Sequence, residues 1–149
     1  MTAPDSEAAP TTVRLIFEYK DDNFRLMSQT PVDIAPTVAL GPTETIPGEY
    51  VEVRTQTGET VGRVKVHPPI TSSIEVFPED HSEPIVRTDL PQVQGAFTVV
   101  VAVPPRADHV VVLRLQSSAP AAPGGVPSEA SLTAPIERVE LGTFRLGPR

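Results

Sequence analysis

The side chains able to do chemistry in this chain are few and scattered. His67, His81 and His109 are the candidate general bases or metal ligands, and the densest ionisable stretch is Glu79-Asp80-His81-Ser82-Glu83. Such a run could offer a divalent cation carboxylate oxygens and an imidazole. Its spacing matches no zinc signature, and a stretch this polar is expected to be a solvated loop. In an extended strand, neighbouring residues point to opposite faces, so neither Asp80-His81 nor Asp108-His109 is expected to act as a catalytic dyad. Nucleophilic catalysis needs a hydroxyl poised beside a base. Ser28, Ser72 and Ser73 have no evident base, and no G-x-S-x-G elbow occurs. Gly124-Gly125 is followed by neither a lysine nor a helix start, so it does not read as a phosphate loop.

Carboxylates can also be brought together in three dimensions for glycosidase chemistry. Glu18, Glu52 and Glu75, however, each alternate with apolar neighbours, a position where a charge is expected on the solvent face of a strand. Aromatic platforms for sugars are scarce, with 5 Phe, 2 Tyr and no Trp. Tyr50 and Phe77 alone are candidates for the surface, and packing is the expectation for both. No residue is therefore assigned as catalytic, cofactor-binding or metal-ligating, and no cofactor is expected. A hydrolase would need a site assembled from distant residues.

The elements that must position these residues are strands. Eighteen prolines recur every few residues, and proline costs about 3 kcal/mol inside a helix, which leaves little room for one. Val13, Leu15, Phe17 and Tyr19 alternate at period two, the mark of a strand with one buried face, before the turn residues Lys20-Asp21-Asp22-Asn23 and a returning strand at Phe24 and Leu26. Glu49 to Thr55 alternates likewise, with Gly58 in the following turn, and Val61, Val64 and Val66 lie on the partner strand, where Gly62 suggests a bulge. Ser73 to Phe77 and Ile85 to Thr88 read as short strands around the acidic loop Pro78 to Pro84. Phe97 to Val103 and Val110 to Leu115 are nearly apolar on both faces, so both are expected to be central and covered on each side. Ile136 to Leu146 is a last strand, with Gly142 placed to switch its phase through a bulge.

These elements predict an all-β fold, an antiparallel β-sandwich of immunoglobulin-like or fibronectin-like type with about eight or nine strands. Residues 1–11 are expected to be a disordered tail and 12–146 a single domain with a flexible Pro/Ala/Ser-rich segment at 117–135. After so long a segment, the last strand must either cross the domain to a partner strand or pair with another molecule.

Composition narrows the partners. The net charge is -7 and the 12 cations are dispersed, so nucleic acid is not expected. The longest apolar runs fall far short of the roughly 20 residues that span a bilayer as a helix, so no membrane is expected. No signal peptide is visible at the N-terminus, and cytoplasmic residence is the default. Cysteine is absent, which excludes disulfides and thiolate metal sites.

Gly48-Glu49-Tyr50-Val51-Glu52-Val53, the turn glycine Gly58 before Arg63, and Phe97-Thr98-Val99-Val100-Val101 running into Pro104-Pro105 and Val110-Val111-Val112-Leu113 carry a resemblance. Over about Val13 to Gln116 the chain resembles the all-β accessory module that precedes the catalytic domain of IgA-protease-like zinc metallopeptidases. No H-E-x-x-H occurs, so the resemblance implies a non-catalytic sandwich and transfers neither substrate nor site. The expected role is protein-protein interaction or scaffolding through the proline-rich stretch Thr30 to Pro47 and the acidic loop Pro78 to Pro84, with a protein partner. The alternatives are a sandwich that binds a small ligand or divalent cation, and the hydrolase already mentioned.

Overall fold

The computed structural model describes residues 9–37, 46–67, 70, 73–117 and 135–147. Among these run nine strands and no helix: β1 (Thr11–Lys20), β2 (Asn23–Pro31), β3 (Gly48–Thr55), β4 (Thr60–Lys65), β5 (Ser73–Val76), β6 (Val86–Asp89), β7 (Gln94–Val103), β8 (Ala107–Ser117) and β9 (Ile136–Arg145). All pairings are antiparallel. They form a three-stranded sheet in the order β2-β1-β7, a four-stranded sheet in the order β4-β3-β8-β9, and a separate β5-β6 ribbon. With no helix among the described residues, none is long and apolar enough to cross a membrane.

The period-two alternation decides which faces meet. Val13, Leu15 and Phe17 of β1 and Phe97, Val99, Val101 and Val103 of β7 share one buried cluster with Val51 and Val53 of β3, Val64 of β4 and Val110 and Val112 of β8. The two larger sheets thus close over one core, the two-layer solution for sheets with one apolar face each. At one end the layers are joined by rings: Phe17 stacks on Phe97 at 5.1 Å between centroids, and Phe144 from β9 meets Phe17 edge-on at 5.4 Å. A smaller cluster of Tyr50, Leu113 and Leu115, with Ile136 against it, lies on the other face of the four-stranded sheet.

Turn chemistry and bulges fall largely where the residues indicated. Asp21 takes the left-handed conformation (φ 52°) in the two-residue β1-β2 turn, and Gly58 does so (φ 89°) between β3 and β4. The β3-β4 register slips beside Gly62, and the β8-β9 register slips beside Gly142, each leaving one residue unmatched. That second slip lets Leu141, Phe144 and Leu146 all reach the core. A further slip, unmarked by any glycine, leaves Met27 unmatched between Ser28 and Leu26, and its side chain stands 49 % exposed.

The structure corrects two expectations and decides an open one. The strand over Phe97 to Val103 is not central: β7 lies at an edge of its sheet, with Thr98 exposed and Val100 and Ala102 half-buried. Apolar residues on its outer face reflect partial cover beside Thr37, whose N–H donates to the Val100 carbonyl. The central strand of that sheet is β1, while β8, as expected, is flanked on both sides and buried on both faces. Thr11, assigned to the tail, already belongs to β1. Residues 1–8 and 118–134, which hold most of the expected tail and flexible segment, lie outside the described residues, as do 38–45 of the proline-rich stretch. The last strand pairs with β8 of its own chain along Ser117↔Ile136 to His109↔Arg145, which settles its pairing as internal.

Candidate functional site

Two networks of ionisable side chains stand out among the described residues, one on the outer face of the four-stranded sheet and one at the end of the molecule where β1 turns into β2. Glu52, expected on the solvent face, is 1 % exposed. Its outward position becomes an interior one because arginines on three strands converge on it. Arg63 of β4 donates from Nε to Oε1 at 3.2 Å, Arg54 donates from Nε and Nη2 to Oε2 at 3.1 and 2.8 Å, and Arg138 of β9 donates to the same Oε2. Thr60 adds its hydroxyl at 3.2 Å, and Arg54 reaches on to Glu140 at 2.8 Å. Burial pushes the Glu52 carboxyl up, but the hydrogen bonds and charges of Arg138 and Arg54 outweigh it and hold the carboxyl below its ordinary value. Arg63 also lies over the Tyr50 ring at 5.0 Å, and the Tyr50 hydroxyl donates to the Ile46 carbonyl at 2.6 Å. Tyr50 is therefore fully buried and offers no platform.

At the β1-β2 end, Asp21, Asp22, Glu49, Ile70, Val93 and Arg114 line a cleft of about 450 Å³. Arg114 ties the layers together, donating to Glu49 of β3 at 3.0 Å and to Asp22 in the turn at 3.1 Å. Burial pulls its guanidinium down, yet the Glu49 hydrogen bond and the Asp22 charge hold it above its ordinary value. Asp21 accepts from the Val93 N–H at 3.2 Å. Of the three carboxylates among the described lining residues, two are thus engaged by Arg114.

The histidines do not converge. His67 and His81 are exposed, and among the described residues no three His, Cys, Asp or Glu side chains are grouped to hold a metal. The opposite-face argument for Asp108-His109 does not hold: His109 Nδ1 is 2.9 Å from Asp108 Oδ2. The reason is a register slip between Arg54 and Thr55, which leaves Asp108 unmatched at the start of β8 and turns its carboxylate toward the ring. Asp80 behaves differently, accepting from the N–H and hydroxyl of Ser82 at 2.9 and 2.7 Å. Ser28 meets the Thr30 hydroxyl at 3.2 Å, Glu18 is exposed and pairs with Arg25, and Ser72 and the side chains of Ser73 and Glu75 lie outside what is described.

The most distinctive surface feature is the β5-β6 ribbon. Among the described residues it pairs with neither of the larger sheets. Val76 and Val86 face each other across it, Phe77 and Ile85 flank the loop, and all four are exposed, Phe77 to 69 %. Packing was expected for Phe77; nothing among the described residues packs on it sufficiently to cover it. The connecting loop runs between Pro78 and Pro84 and carries Glu79, Asp80 and Glu83, all exposed. It is shaped by the Asp80 bonds and by the Glu83 N–H donating to the Asp80 carbonyl at 3.0 Å. Comparison with protein families, curated proteins and solved structures finds no match to this chain.

Proposed function

We propose that this chain is a non-catalytic β-sandwich module of immunoglobulin-like type that acts in protein-protein interaction or scaffolding. The observation that carries the reading is the position of its exposed apolar side chains: Val76, Phe77, Ile85 and Val86 cluster on a ribbon outside the shared core. Large apolar surface clustered in this way marks contact sites, whereas scattered apolar residues do not. The strand order supports the immunoglobulin-like assignment, since β4-β3-β8-β9 follows the C′-C-F-G order and β1-β7 the B-E pair. One departure is that β2, which follows β1, occupies the edge that strand A fills in that fold. The Tyr50 hydroxyl bonded four residues upstream resembles a tyrosine corner, placed here on β3.

The test is capture from native extract, with light scattering to fix the state of the free protein. Wild type is expected to retain a partner that the Phe77→Ser/Val86→Ser variant does not. A lone monomer that retains nothing, or equal retention by both proteins, overturns the proposal.

A second reading, binding of a small cationic ligand, is favoured by the carboxylate-lined cleft around Arg114. It predicts a rise in melting temperature with millimolar spermidine, because a ligand of the folded state stabilises it by mass action. No rise removes it.

A further inference from the structure

Resting on the interaction reading, we infer that the β5-β6 ribbon docks into an apolar pocket of a protein partner whose rim is basic. A two-stranded ribbon on its own is marginally stable in water, and among the described residues this one is paired with neither of the larger sheets. Its four exposed apolar side chains would be withdrawn from water in a complex. The prolines that bound the loop and the Asp80 bonds to Ser82 hold the tip in shape before binding, which lowers the ordering cost of association.

Charge selects the partner. Glu79, Asp80 and Glu83 stand beside Phe77 and Ile85, and the tip offers one histidine and no lysine or arginine between Phe77 and Ile85. The backbone N–H of Ser82 first, then its hydroxyl, holds the Asp80 carboxyl below its ordinary value, which keeps Asp80 anionic. An acidic rim around apolar anchors is matched by Lys and Arg around an apolar pocket, which speeds encounter and rejects acidic surfaces. The same charge opposes docking on an anionic lipid leaflet. It also opposes association with a second copy of this tip.

The test uses the full chain and two fluorescent amphipathic peptides, one alternating Lys and Leu, the other Glu and Leu, titrated by anisotropy. Wild type is expected to bind the Lys-Leu peptide. Binding should weaken at least about tenfold with Phe77→Ser/Val86→Ser, and likewise with Glu79→Lys/Asp80→Lys/Glu83→Lys. A control triple, Glu18→Lys/Glu59→Lys/Glu137→Lys, makes the same change in net charge elsewhere and should weaken binding less than about twofold. Thermal melting of the two ribbon variants should match wild type, because the ribbon lies outside the core, and all variants are compared well below their own melting temperatures.

Equal weakening by both triples reduces the effect to net charge and overturns the inference. So does preference for the Glu-Leu peptide, Phe77-dependent binding to vesicles of phosphatidylcholine and phosphatidylglycerol, or a Phe77-dependent dimer. Preference for the Glu-Leu peptide or a Phe77-dependent dimer would leave the interaction reading standing with a different partner. Loss of every Phe77 effect in both this titration and the capture experiment would remove both.

Discussion

A carboxylate removed from water survives as an ion only when its lone pairs and charge are answered, and Glu52 is answered by three guanidinium groups and a hydroxyl. Removing the charge should therefore destabilise the protein by about 3–5 kcal/mol, since Glu52→Gln leaves three arginines around a neutral amide. The pH dependence follows from the sign of the shift. With the folded carboxyl held below the ordinary value of 4.5, the stabilisation is present above that value and lost as pH falls through the folded one. Denaturant midpoints should show wild type far above the variant at pH 7 and the gap closing below about pH 4.5; a gap of constant width would refute the assignment. None of this was legible in the residues around Glu52. Two of its three arginines, Arg63 and Arg138, come from other strands, and only the pairings that join β4, β3, β8 and β9 reveal the convergence. Asp108 was misread for a related reason: alternation assumes an unbroken strand, and a one-residue slip with no glycine to mark it reverses the side a residue faces.

At the level of elements, local signals read well and lateral order did not. The hairpins at Asp21-Asp22 and Gly58 and the slip beside Gly142 have residues that need those conformations, so the sequence displays them. Whether a strand sits at an edge depends on partners far away in the chain, which is why the valine-rich β7 was mistaken for an interior strand. The edges themselves are managed individually. Between β2 and β9, which belong to different sheets, the Gln29 side chain substitutes for a strand: it donates to the Arg145 carbonyl at 2.9 Å and accepts from the Gly147 N–H at 2.8 Å. Each such bond is worth roughly 0.5–1.5 kcal/mol net. Gln29→Ala should accordingly raise hydrogen exchange at the Gly147 amide by about tenfold or more, with the β3 amides unchanged, and equal exchange in both proteins would show that this seam does not depend on Gln29. The stretch Pro78 to Pro84 was legible as an exposed acidic loop from its composition, whereas the exposure of Phe77 was not, since a single aromatic beside a short strand is usually packed.

For the molecule as a whole, β9 closes the four-stranded sheet and brings Phe144 to the ring cluster that bridges the layers. A chain ending after Gln116 would bare the β8 edge, with Val111 and Leu113 now lacking their neighbouring strand. It is expected to aggregate or to melt well below the full chain, and size-exclusion chromatography with thermal melting decides the matter; a monomer with an unchanged melting temperature would contradict it.

The pairing of β1 with β7 has a consequence for synthesis. Thr11 meets Val103, so β1 waits for the much later β7 before its sheet is complete, and β3 waits for β8 in the same way. While a ribosome is still supplying the middle of the chain, only the β1-β2, β3-β4 and β5-β6 hairpins can form from the strands described, each with its greasy side uncovered. Contacts this remote make for slow folding. A nascent chain arrested at Gln94 should thus be as open to protease as an unfolded one, and protection should arrive late and all at once.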